Sequence, residues 1–223
     1  VADSAWVYTR TGGVWGPPQQ VMRMGGGPRD RFGAALALSG DTLAVGAPLE
    51  AANGIASSYA RGATYVFIFS GGSWQQQARI SATAAANGDL FGLSLSLLGE
   101  RLAIAAPAAQ ALRGVVSLYE RNGALWQAVA ELGAAGGLDR DHFGWSLSLA
   151  PDLLVVGQPL AALGHQGDTR GSVSVAIAIS STTSRMSRFA LKIRSWRSAL
   201  LPRSRSAPIP SSPRSDPTSR ACG

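Results

Sequence analysis

Phe-Gly stands at three places in this chain, Phe32-Gly33, Phe91-Gly92 and Phe143-Gly144, and each sits on one ruler. A Trp precedes each Phe by 17 residues (Trp15, Trp74, Trp126). An acid follows each Phe by nine residues (Asp41, Glu100, Asp152) and a Pro by sixteen (Pro48, Pro107, Pro159). The Phe-to-Phe spacings are 59 and 52 residues. From each Pro to the Gly that opens the next strand (Gly62, Gly114, Gly171) the distance is 14, 7 and 12 residues, so one loop absorbs all the variation. A period of this length predicts stacked supersecondary units, each burying its apolar face against the next.

Inside each unit the pattern is that of short strands. After Phe-Gly come Ala34 to Leu38, Leu93 to Leu97 and Trp145 to Leu149, which alternate large with small residues as a strand packed on both faces does. A tight turn such as Ser39-Gly40-Asp41 leads to Thr42-Leu43-Ala44-Val45 or its counterparts, and the following Pro ends pairing. A third strand begins near Ala63 or Val115 and turns at Ser70-Gly71-Gly72 or Arg121-Asn122-Gly123. A fourth runs from Trp74 to about Ile80 and from Trp126 to about Leu132. Four short strands per unit make one propeller blade.

Phe-Gly followed by Gly-Ala-Pro, complete as Phe32-Gly33 with Gly46-Ala47-Pro48, resembles the FG-GAP repeat of integrin α-subunit head domains and many secreted bacterial proteins. The other copies read Ala105-Ala106-Pro107 and Gly157-Gln158-Pro159. The resemblance covers about residues 3–177, with repeats near 3–62, 63–114 and 115–179. The fold expected is all-β: a partial β-propeller of about three four-stranded blades over residues 1–179. The first and last strands fall mid-blade, because Trp6-Val7-Tyr8 aligns with Tyr65-Val66-Phe67, and no Trp follows on schedule at Thr183. Open blade edges call for partners, so the chain reads as a fragment lacking propeller blades, or as one partner of a larger assembly. The resemblance also implies an extracellular or cell-surface protein, although no signal peptide is visible.

Similarity to integrin-type repeats raises calcium, which needs several closely spaced oxygen ligands. The first Pro-to-strand loop, 49–61, offers Glu50 and Asn53; the second, 108–113, has no acid; the third, 160–170, offers Asp168. None alternates Asp in the required way, so no metal or other cofactor is expected. Asp30, Asp89 and Asp141, two residues before each Phe, read as turn formers. His142 and His165 are the only candidate bases, and no nucleophile motif accompanies them. The three repeat Trp residues read as packing between blades, whereas Trp145 and Tyr59 lie off the ruler and suit an exposed contact.

Charge divides the chain. Residues 1–179 carry a net charge of −1, and residues 180–223 carry +8. No nucleic-acid binding is therefore expected of residues 1–179. The last 44 residues hold 12 Ser, 5 Pro, the single Cys222 and one of the 27 Gly. That basic tail is expected to be disordered, or to be the product of a reading-frame shift. The functional expectation is a non-catalytic binding or adhesion scaffold that recognises protein or glycan through its loops. A propeller enzyme (lyase or hydrolase) with a central site, or a membrane or nucleic-acid binder acting through the tail, are the alternatives.

Overall fold

A computed structural model describes residues 3–51, 60–82, 86, 88–134 and 137–160, and the backbone of 172–177. The expected sheets are present. The first comprises β1 (Ala5–Val7), β2 (Arg10–Thr11), β3 (Val14–Trp15) and β4 (Gln19–Val21), with β1 paired to β4 and β2 to β3. These are only the two outer strands of a blade, because Ala5 pairs with Val21 as Thr64 pairs with Ile80 one repeat later. Blade 1 is β5 (Leu36–Ser39), β6 (Thr42–Ala47), β7 (Ala63–Ser70) and β8 (Ser73–Ile80), an antiparallel meander. Blade 2 is β9 (Ser94–Leu98), β10 (Arg101–Ala106), β11 (Val115–Asn122) and β12 (Leu125–Gly133). Blade 3 contributes β13 (Ser146–Ala150), β14 (Leu153–Gln158) and β15 (Ser172–Ile177). Residues 180–223, and with them the expected tail, lie outside the described residues.

The core sits between blades, as the period of two dictates. Along β6, Leu43, Val45 and Ala47 face the preceding half-blade, where they meet Ala5, Val21, Phe32, Tyr65 and Phe67. Ala44, between them, faces forward into a second core with Phe91, Leu95, Leu97 and Ile104. A third core repeats the arrangement with Ala103, Ala105, Val116, Phe143 and Leu154. Blades 1 and 2 thus each bury one face on the sheet before and the other on the sheet after. The Trp series follows the same logic. Trp74 packs on the first core and Trp126 on the second, where its Nε1 donates to Gln77 Oε1 of blade 1 at 3.1 Å. Trp15, whose sheet has no preceding blade among the described residues, is 65% exposed.

The motif residues explain the joints. The amide of each Phe-Gly glycine donates to the carbonyl at the first Gly-Ala-Pro position of its own blade: Gly33 to Gly46 (3.0 Å), Gly92 to Ala105 (2.9 Å) and Gly144 to Gly157 (3.1 Å). All three glycines have φ between +94° and +98° or at +90°, a region closed to most side chains. Gly46 has an ordinary φ, and its constraint is space: a Cβ there would stand 2.0 Å from the Gly92 carbonyl of blade 2. Gly62 and Gly114 press in the same way on the backbone of Phe91 and Phe143. Gly46→Ala is therefore expected to push blades 1 and 2 apart and cost about 2 kcal/mol or more, the order of an overpacked core. Urea unfolding of the variant beside Ala105→Gly, which removes a methyl without such a clash, checks this.

Candidate functional site

The loops entering each innermost strand and the loops following each Pro emerge at one end of the blades. Together they form a loop face. Its foundation is a repeated turn. Asp30 accepts the Gly27 amide, Asp89 that of Ala86 and Asp141 that of Leu138, at 2.6, 2.6 and 2.7 Å. All three acids are buried, and each ties the approach to its Phe-Gly. The residue before each Phe (Arg31, Leu90, His142) has φ between +55° and +60°. Left-handed backbone at a non-Gly residue costs on the order of 1 kcal/mol, so the surrounding bonds must impose this shape.

Beneath the loop face at blade 1 lies a charged cluster found in no other described blade. Glu50, the first of the calcium candidates, is buried. Its Oε1 accepts from Arg79 Nε at 2.7 Å. Its Oε2 accepts from Arg23 at 2.9 Å and from the Tyr65 hydroxyl at 2.7 Å. Arg23 also reaches Asp30 Oδ2 at 2.9 Å and the Gly27 carbonyl at 2.6 Å. Its guanidinium lies over the Phe32 and Tyr65 rings, at 5.3 and 5.5 Å. The Glu50 carboxylate is thus taken up by two guanidinium groups and a phenol. Glu50 acts as a clamp: the Arg23 side comes from the half-blade and the Arg79 side from blade 1. The other two candidates, Asn53 and Asp168, lie outside the described residues, as do His165 and Tyr59. Among the described residues no three His, Cys, Asp or Glu side chains converge as a metal site would require. The counterparts of Arg23, Glu50, Tyr65 and Arg79 in blade 2 are Ala82, Ala109, Ser117 and Glu131, so the clamp is not a repeat feature.

Burial raises the Tyr65 phenol above its ordinary value, and the Glu50 carboxylate raises it further. Burial alone would lower the Arg79 guanidinium, but its bonds to Glu50 outweigh that and raise it. At the opposite end of blade 2, hydrogen bonds from Arg121 hold the exposed Glu100 carboxyl below its usual range.

Between blades 2 and 3 the loop face forms a ledge. The short loop after Pro107 makes a single turn, Ala109–Leu112, in which Gln110, Ala111 and Leu112 have φ of +53°, +60° and +67°. Three successive left-handed residues are held by the next loop. Arg140 N donates to Ala111 O, His142 N to Leu112 O and Phe143 N to Arg113 O, at 3.2, 2.8 and 2.8 Å. An Arg113–Asp139 ion pair at 2.7 Å closes the joint. On this ledge stand Leu138 and Trp145, each 52% exposed. The His142 ring meets the Trp145 indole edge-on, with centroids 5.6 Å apart. His142 Nδ1 is buried with no partner among the described residues. Sequence reasoning singled out Trp145 but gave no sign of the left-handed turn, since Gln-Ala-Leu carries no turn signature.

Two outcomes follow. Glu50→Ala leaves Arg23 with Asp30 as its only carboxylate, and is expected to cost about 3 kcal/mol, the scale of breaking a buried pair from one side; urea denaturation measures it. The Tyr65 phenol gives the second. Its folded value lies above its unfolded value near 10. As pH rises past that point the unfolded chain loses its proton first, so stability present below it is lost on the way to the folded value. Tyr65→Phe is expected to flatten the alkaline limb of stability against pH, with the Tyr119 contribution remaining, as its phenol is also raised by burial.

The FG-GAP repeat family model matches residues 18–67 and 126–176. The stretch between the two matches holds most of blade 2, which folds like blade 1 despite its shorter loop and its Ala105. No curated protein matches the chain significantly.

Proposed function

From the premise that this chain carries FG-GAP repeats, we propose that it is a non-catalytic binding scaffold that recognises a protein or a glycan through its loop face. The observation that carries this reading is the ledge between blades 2 and 3. A half-exposed Trp held edge-on by His142, in a loop tied to its neighbour by three hydrogen bonds and an ion pair, is a pre-organised contact. Indole offers a flat apolar face with a polar edge, which suits both a sugar ring and a protein hot spot. Rigid backing lowers the ordering cost of binding. Asp141 beside the ledge caps its turn, accepting from Leu138 N and Gln158 Nε2. Operation outside the cell or at its surface completes the proposal, resting on the family likeness alone.

The test is retention of glycans and extracellular proteins on arrays probed with the purified chain. Trp145→Ala is expected to weaken any ligand retained at the ledge tenfold or more, about 1.4 kcal/mol, with an unchanged melting temperature. A ligand that binds wild type and Trp145→Ala alike would place recognition elsewhere; no ligand at all would sink the scaffold reading.

A further inference from the structure

Arginine carries all the positive side-chain charge of residues 1–179, which contain no Lys. The described arginines divide by what they touch. At the end of the blades opposite the loop face, each is engaged. Arg10 Nε donates to Gly13 O at 3.0 Å, Arg101 to Pro151 O at 2.6 Å and Arg121 to Glu100 Oε1 at 2.6 Å. Beneath the loop face Arg23 and Arg79 hold Glu50, and on it Arg113 holds Asp139. The remaining four, Arg29, Arg31, Arg61 and Arg140, are exposed on the loop face. Their side chains have no hydrogen bond, ion pair or ring contact among the described residues. The loop segments outside the described residues between positions 49 and 160 contain no acid to take them.

The repeat sets their places. Arg61 and Arg113 each precede the glycine that opens a third strand, and their carbonyls accept the Phe91 and Phe143 amides of the next blade at 3.0 and 2.8 Å. Arg29 and Arg140 each stand three residues before a Phe, with φ of +70° and +72°. Every joint therefore presents an unpaired guanidinium: Arg29 and Arg31 at the first, Arg61 at the second, Arg140 at the third. Acids lie the other way. Asp30, Glu50, Asp89 and Asp141 are buried below the face, and Asp41, Glu100 and Asp152 stand at the hairpin turns of the opposite end.

We propose that the loop face binds a carboxylated glycan, a chain of uronic acids laid across successive joints. Arg61 and Arg140 take its carboxylates, and Trp145 stacks on one of its rings. This rests on the reading of the loop face as a binding surface and names its ligand class. A guanidinium fork matches the geometry of a carboxylate. A uronic acid carries that carboxylate on a ring whose C–H face suits an indole, so one ligand class uses both features. Arg140 and Trp145 share one frame: the Arg140 and His142 amides donate to the adjacent carbonyls of Ala111 and Leu112, and the Trp145 amide donates to His142 O. Nucleic acid suits this face less. Binding a phosphate backbone draws on an excess of positive charge, whereas residues 1–179 carry a net charge of −1 and acids lie directly under these arginines. A sparse row of carboxylates needs only short-range contacts.

Calorimetric titration of the full chain with oligogalacturonate, with its methyl-esterified form and with an acidic peptide of equal charge tests this. The acid is expected to bind, and the ester and the peptide to bind about tenfold more weakly or less. Arg61→Gln/Arg140→Gln is expected to weaken oligogalacturonate by a similar factor with an unchanged melting temperature. Asp139→Asn is expected to tighten it, because Arg113 is released; weaker binding there overturns the inference. Binding that ignores the arginine double variant, as the basic residues 180–223 alone would give, overturns it as well. An ester bound as tightly as the acid, and lost on Trp145→Ala, overturns the carboxylate and leaves the scaffold reading in place. A peptide bound as tightly as the glycan overturns the sugar. No binding of oligogalacturonate overturns the inference whatever other ligand the arrays retain.

Discussion

The hydrogen bond from the Phe-Gly amide to the first Gly-Ala-Pro carbonyl fixes the geometry on which the blades depend. It joins the strand that enters a blade to the end of the strand beside it, and it does so where a side chain could not fit. With the glycine held at positive φ, the preceding Phe turns inward and becomes the plug of the core between blades. Phe32 meets Tyr65 and Phe67 edge-on at 5.6 and 6.0 Å, geometry that favours aromatic contact beyond simple burial. Gly46 then lets the next blade's Gly92 carbonyl approach. One motif therefore closes its own blade and sets the distance to its neighbour.

A core divided among interfaces gives every blade two faces to bury. Stability in such an array comes from nearest-neighbour contacts. Blade 2 has a neighbour on each side, and its Leu102, Ile104 and Val116 are inaccessible to solvent. The half-blade has one neighbour among the described residues, and there the chain adds a charge cluster. Arg23, Asp30 and Glu50 are buried and costly to desolvate. Asp30 has counterparts in Asp89 and Asp141, but Arg23, Glu50 and Arg79 recur in no other described blade. They stand where the apolar interface is thinnest, between a two-strand sheet and blade 1. Alanines, Ala82 and Ala109, stand at the positions of Arg23 and Glu50 one repeat later, where the interface carries four strands on each side.

Most of the architecture was legible in sequence, because the repeat is its own alignment. Trp, Phe and Pro on a common ruler located the strands, and the single variable link located the loops. The unmatched sheet at the start followed from Trp6-Val7-Tyr8 falling on Tyr65-Val66-Phe67. What stayed hidden depends on contacts between distant segments. Arg23, Glu50 and Arg79 stand 27 and 29 residues apart, and nothing local marks them as partners, so Glu50 read as a loop acid. Alternation in Ala34 to Leu38 matches that in Leu93 to Leu97, yet the former faces solvent. The difference lies in the neighbour and not in the strand. Left-handed Gln110-Ala111-Leu112 is imposed by the following loop, against the preference of all three residues.

That imposition ties the loops of two blades together. A six-residue link between Pro107 and Gly114 must cross the gap that the first repeat spans with a longer one, and it does so by coiling in the unfavoured hand. Hydrogen bonds from Arg140, His142 and Phe143 hold it there, so the strain is shared with the loop that carries Trp145. A surface on which two loops from different blades constrain each other cannot shift one without the other. Contacts made on the ledge thus reach across the joint between blades 2 and 3. Anything that altered the angle between those blades would move Trp145 relative to Gln110. Loop position and blade geometry are coupled through the same backbone bonds.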